Sequence, residues 1–204
     1  MRFCPFWKTS RARQRLLLVC LTLLSSGPGL AVGVPVLPES VPTGYVLSGM
    51  PSIHQTYNAC GPASIAQVLG YFGVRISQQQ VSALTRASDR SYMTAQALVS
   101  YAPQVGMNAR WYRGGSLGSV RSAVRHSLPL IVLQEVTWKS HSVAHWRVVT
   151  GYDDARGRVY LMDPLLGPVT VSFAEFLNGW SVHQGQFAAL YPPAWEVLVV
   201  GLFG

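Results

Sequence analysis

Apolar residues recur at helical spacing through the middle of the chain and change to strand-like runs beyond residue 129. After Cys60-Gly61-Pro62, the residues Ala63, Ala66, Val68, Leu69 and Phe72 fall on one helical face. Pro62 suits a first helical turn, where its missing N–H breaks no bond, and Gly73 suits a C-terminal stop. The pattern therefore predicts a helix with Cys60 at its N-terminus. Further short helices are predicted over Ser77–Thr85, with Ser77 as N-cap, over Thr94–Tyr101, ending before Pro103, and over Ser116–His126. Gly114-Gly115-Ser-Leu-Gly118 has neither the lysine nor the preceding strand of a phosphate loop and reads as a turn into the last of these. Strands follow at Leu130–Leu133, His145–Thr150, Arg158–Met162, Val169–Val171 and Phe187–Tyr191. Ala155-Arg156-Gly157 is the expected hairpin turn between the second and third strands. Helices first and antiparallel strands second is an α+β layout.

The two ends depart from this pattern. Five basic residues (Arg2, Lys8, Arg11, Arg13 and Arg15) precede the apolar run 16–24, and small residues follow with a helix-breaking Gly27-Pro28-Gly29. That order reads as a signal peptide over residues 1–31, cut after Ala31 or Gly33. The run is shorter than the roughly 20 residues needed to span a bilayer. The protein is therefore expected in the cell envelope or secreted, with no stable membrane span after cleavage. Residues 32–49 hold Pro35, Pro38 and Pro42 and read as an extended arm or linker. The domain proper runs over 50–193, and 194–204 form an apolar tail that packs on the sheet, meets a partner or touches a membrane.

Composition removes some functions. The formal charge is +8, but beyond residue 15 only eleven basic residues face eight acidic ones. No basic patch stands out, so a nucleic-acid partner is not expected. With 49% hydrophobic and 12% charged residues, the chain has ample material for one core.

Cysteine usage is more informative. Cys4 and Cys20 fall inside the expected signal, which leaves Cys60 alone in the mature chain. In an oxidising compartment an unpaired thiol is a liability unless it is inert or kept for its reactivity. A free thiol, with a pKa of about 8.5, is only slightly ionised at neutral pH. A helix N-terminus favours the thiolate, and a neighbouring imidazolium favours it more. The imidazole needs an acceptor to fix its second nitrogen. His145 opens a predicted strand and Asp163 ends its hairpin partner, so antiparallel pairing brings them together. Gln55, five residues ahead of Cys60, is the candidate side-chain donor to a developing oxyanion.

The segments Gln55-Thr-Tyr-Asn-Ala-Cys60-Gly-Pro-Ala-Ser, His145-Trp-Arg-Val-Val-Thr-Gly-Tyr-Asp and Val159-Tyr-Leu-Met-Asp163-Pro together resemble the C39-like peptidase family, a branch of the papain-like cysteine proteases. This family includes leader-peptide peptidases of bacteriocin exporters and stand-alone exported domains. The resemblance implies a papain-like fold with Cys60 on a helical half and His145 and Asp163 on a sheet half. It implies peptide or protein substrates cut by a thiolate, with no metal or cofactor. In exporter-linked members the glutamine lies six residues before the cysteine; here His54 holds that place. No exporter segment accompanies the match, so double-glycine leader cleavage does not carry over.

Several of these residues also have plainer explanations. Asp163 also suits a cap on a turn before Pro164, and Asp153 and Asp154 read as turn residues. His141 and His145 are four apart but on a strand and without the glutamate of a zinc peptidase motif. Tyr57, Trp111, Trp138 and Trp146 suit the lining of a groove, but core packing is the simpler reading of each. Two other functions remain open: an amidase or acyltransferase acting on cell-wall peptides, and a catalytically silent peptide-binding module.

Overall fold

The computed structural model describes residues 43–204, so the expected signal peptide and most of the arm lie outside the described residues. The first helix, α1, spans Cys60–Tyr71. Gly73 follows it at φ +82°, a conformation that favours glycine. Helices α2 (Gln78–Thr85), α3 (Ala95–Tyr101) and α4 (Leu117–Arg125) occupy the predicted places. The hydroxyls of Ser77, Thr94 and Ser116 accept from the backbone N–H three residues on, which fixes where each begins.

Among the described residues, seven strands form one antiparallel sheet. They are β1 (Gly44–Val46), β2 (Asn108–Tyr112), β3 (Leu130–Trp138), β4 (His141–Asp153), β5 (Arg158–Asp163), β6 (Gly167–Ser172) and β7 (Phe187–Tyr191). The order is β2-β7-β3-β4-β5-β6, with β1 added beside the far end of β4. Alternate residues feed two cores. On one face Ile131, Val148, Ala188 and Leu190 pack with Ile65 and Leu69 of α1, Val81 of α2 and Leu98 of α3. On the other, Leu130, Val132, Leu161, Phe187 and Ala189 pack with Val120 and Val124 of α4. Burial on both faces explains why the strands read as continuous apolar runs rather than alternating ones.

Three features go beyond the sequence pattern. Helix α5 spans Phe173–Val182, where no element was expected. Its signal is Ser172, whose hydroxyl accepts from Glu175 N–H, and its Phe176 and Trp180 fill the second core. Strand β2 was also unforeseen; its five residues pair with β7 in unbroken register. The pairing of β3 and β4 runs on to Trp138 and His141 across Lys139-Ser140, both at positive φ as a two-residue hairpin turn requires.

The described part of the arm and the tail both join the fold. Gly44–Val46 of the arm is a strand, and Leu47 enters the second core. The tail forms helix α6 (Glu196–Phe203), with Val199 buried and Phe203 against the rings of Tyr112 and Phe187. Of the three destinations open to it, the tail takes the first and packs on the sheet.

Candidate active site

Helix α1 begins differently from its neighbours. Its N-cap is Ala59, which offers no side-chain acceptor, whereas α2 to α5 each have a serine or threonine there. The first N–H groups, starting with that of Cys60, therefore have no capping side chain. Cys60 is buried and unpaired, and Gly61 beside it allows close packing: a Cβ there would lie 2.6 Å from Met93 Cε.

The loop leading to Cys60 is held along its length. Gln67 Nε2 donates to the Ile53 carbonyl (3.2 Å), and Gln55 N–H donates to the Pro164 carbonyl (2.8 Å). Gln78 of α2 both accepts from Thr56 N–H (2.9 Å) and donates to the Thr56 hydroxyl (2.7 Å). The Arg86 guanidinium donates to the Tyr57 carbonyl (3.0 Å), and Asn58 takes positive φ while its amide donates to the Arg90 carbonyl.

On the sheet side, β5 pairs with β4 only from Val148 onward. The stretch 141–147 thus has β3 on one side and no strand on the other among the described residues. His145 lies in this stretch. Its strand starts at His141, four residues earlier than the pattern suggests, yet its Nε2–H donates to Asp163 Oδ1 at 3.0 Å. The same oxygen accepts from Leu165 N–H (2.7 Å) and Leu166 N–H (3.2 Å), so Asp163 caps its turn and holds the imidazole together. With Nε2 engaged, Nδ1 is the nitrogen left for chemistry with Cys60, which lines the same cleft.

Electrostatics follow from this arrangement. Burial alone would pull the His145 pKa down, but hydrogen bonds to Asp163 and Cys60 and their charges outweigh it and lift it to about 9. Burial works against ionisation of Asp163, yet its bonds to His145, Leu165 N–H and Arg147 hold it well below the usual carboxylate range.

Cys60 and His145 line a cleft of about 460 Å³ together with Gln55. Gln55 Oε1 is buried with no partner among the described residues. His54 is exposed and does not line this cleft, so of the two positions weighed it is Gln55 that faces it. The remaining walls carry no formal charge and include Tyr92, Val136, Val143 and Leu165. Tyr57 is another wall residue, 73% exposed, contrary to the expectation that it packs in the core. A three-residue approach to an uncapped helix end is too short to bury so large a ring. Trp146 is in the core as expected, while Trp111 lies at a separate hollow beside β2. Asp154 is a turn residue as expected, whereas Asp153 is the last residue of β4; they pair with Arg121 and Arg156 respectively, and His141 bonds the Lys139 carbonyl.

Sequence reasoning passed over Arg147 and Gln134. Arg147 Nε donates to Asp163 Oδ2 at 2.7 Å, and its Nη1 donates to Gln134 Oε1 at 3.3 Å. The available signal was a charged residue amid the apolar run Trp146-Arg-Val-Val149, two positions from His145.

The model of the Peptidase_C39 like family matches residues 47–187. The probable functional amyloid protease FapD of Pseudomonas fluorescens is 25% identical over 181 residues, covering 80% of this chain and 75% of that protein. The fold is similar to that of a protein described as a C39-like peptidase in Bacillus anthracis: TM-score 0.58, 19% identity, 72% of this chain and 96% of that one. It is also similar to xylellain, a cysteine protease of Xylella fastidiosa: TM-score 0.57, 9% identity, 75% and 87% covered. The chain has the papain-like α+β fold, is a cysteine peptidase, and belongs to the Peptidase_C39 like family.

Proposed function

We propose that the chain hydrolyses peptide bonds with Cys60 as nucleophile, His145 as proton carrier, Asp163 as orienter and Gln55 as oxyanion donor. One observation carries the reading: Cys60, His145 and Gln55 line a single cleft, and Asp163 holds His145 from behind through a 3.0 Å hydrogen bond. The Cys60 thiolate attacks the scissile carbonyl carbon, and the electron pair of the C=O bond moves to oxygen. That oxyanion is met by Cys60 N–H, which no cap competes for, and by the Gln55 side-chain amide. Imidazolium Nδ1 gives its proton to the leaving amine as the C–N bond breaks, leaving a thioester. Water then attacks, returns a proton to His145, and expels the thiolate.

The wall residues suit an uncharged, apolar peptide segment. The N-terminal charge and apolar pattern supports export to the envelope or beyond, where a lone thiol is kept for its chemistry. Among the described residues no helix is long and apolar enough to cross a membrane. The test is Cys60→Ala in the secreted protein, assayed on unfolded protein and on muropeptides. Loss of protein cleavage with an unchanged melting curve is expected. Cleavage that survives the substitution sinks the proposal, and activity confined to muropeptides reassigns the substrate.

A further inference from the structure

Behind the Asp163 carboxylate lies a buried chain of hydrogen bonds that the hydrolysis scheme does not use. Asp163 divides its oxygens: Oδ1 serves His145 and the turn, while Oδ2 takes Arg147 Nε. Arg147 in turn rests on Gln134 Oε1, and Gln134 Nε2 donates to the Phe176 carbonyl of α5 at 2.8 Å. Gln134 is 1% exposed and stands opposite His145 in the β3–β4 register. Helix α5 comes near enough because Gly179 faces β3; a Cβ there would lie 2.6 Å from the Glu135 carbonyl. The Arg147 side chain is itself almost wholly buried. Burying a guanidinium is costly, and a turn-capping aspartate has no need of one.

We infer that Arg147, braced by Gln134 against α5, is a positioning residue that sets both the plane of the Asp163 carboxylate and the basicity of His145. The inference rests on the peptidase reading and adds to it. Geometrically, the planar guanidinium anchored at two points stops the carboxylate from rotating, so that Oδ1 keeps facing His145. Electrostatically, the fixed cation offsets part of the Asp163 charge that His145 feels. Without it the imidazolium would hold its proton too tightly to release it to a leaving amine. The titratable and charged groups around His145 are Cys60 on α1, Asp163 at the end of β5 and Arg147 on its own strand. Glu135, the neighbouring acid on β3, is tied to His183 beyond α5 at 2.9 Å, and Glu175 at the start of α5 is exposed.

The test is the NMR titration of His145, assigned by its loss in His145→Gln, in a Cys60→Ala background that removes the thiol's own charge. Arg147→Met is expected to raise the midpoint by roughly one pH unit, the size of a single partly screened charge nearby. Arg147→Lys, which keeps the cation, is expected to leave the midpoint unchanged, yet to slow peptide hydrolysis when Cys60 is present. If Arg147→Met does not fold, Arg147→Gln keeps a donor for Oδ2 without the charge and should give the same rise. A midpoint that stays put in a folded neutral variant overturns the inference. Failure of the peptidase reading looks different: Cys60 in the parent protein then resists iodoacetamide at every pH, whatever Arg147 does to His145.

Discussion

Replacing Asp163 by asparagine isolates the carboxylate's contribution while keeping its size. Asp163 accepts four hydrogen bonds, from His145, Leu165 N–H, Leu166 N–H and Arg147. An asparagine oxygen can keep the turn, but its amide then faces the Arg147 guanidinium, donor against donor. Removing one partner of such a buried pair costs about 3 kcal/mol. His145, now lifted to about 9, keeps an acceptor in the asparagine oxygen but loses the charge of the carboxylate, while burial continues to press it down. A fall in its midpoint of about 1.5 pH units would be roughly 2 kcal/mol. At pH 8 the imidazolium fraction would drop from roughly nine-tenths to roughly a quarter. A neutral acceptor also stabilises the imidazolium less and fixes its tautomer less firmly, so kcat/KM should fall by about 10²–10⁴. The assay is kcat/KM on a quenched peptide from pH 5 to 10, beside the His145 NMR titration. The alkaline limb is expected near pH 9 in the parent and clearly lower in the variant. The linkage has the same sign. His145, raised on folding, stabilises fully below its unfolded value of 6.5, and that contribution is lost as pH rises through about 9. Asp163, lowered on folding, stabilises above its ordinary value of 3.8 and loses this as pH falls. Parent stability should therefore decline between pH 6.5 and 9 more steeply than that of Asp163→Asn. A folded variant whose His145 midpoint matches the parent's would refute this account of the pair.

Two further outcomes are expected. Gln55→Ala should lower kcat by about 10²–10³ with little change in melting temperature, since its side chain lines the cleft and belongs to neither hydrophobic core; an unchanged kcat would remove it from the oxyanion site. Phe203→Ala should destabilise the protein by about 2 kcal/mol in urea unfolding, because its ring packs on Phe187 and Tyr112 at 5.1 and 5.3 Å. An unaltered midpoint would mean that α6 lies on the sheet without holding it.

The sequence by itself determined the local elements whose signals are local. The Cys60 helix, with proline in its first turn and glycine past its end, and the Ser77, Thr94 and Ser116 caps lie where spacing and capping chemistry put them. The chemistry of the site was legible for the same reason, since thiol, imidazole and carboxylate each announce themselves by residue type beside a helix start or a strand end. What only the tertiary structure decided depends on contacts between residues far apart in the chain. Strand β2 exists because Asn108–Tyr112 finds β7 about eighty residues away. The tail is a helix on the sheet because Val199 and Phe203 find a core to enter. Tyr57 stands at the cleft, not in the core, because it belongs to a loop pinned by Gln78 and Arg86. Arg147 reads as an exception in an apolar strand until Asp163 and Gln134 are seen on either side of it. Hydrophobic period and capping act over a few residues and survive in the sequence, whereas the partner of a buried charge is set by which strands lie side by side, and that is fixed only when the whole sheet closes on its two layers of helices.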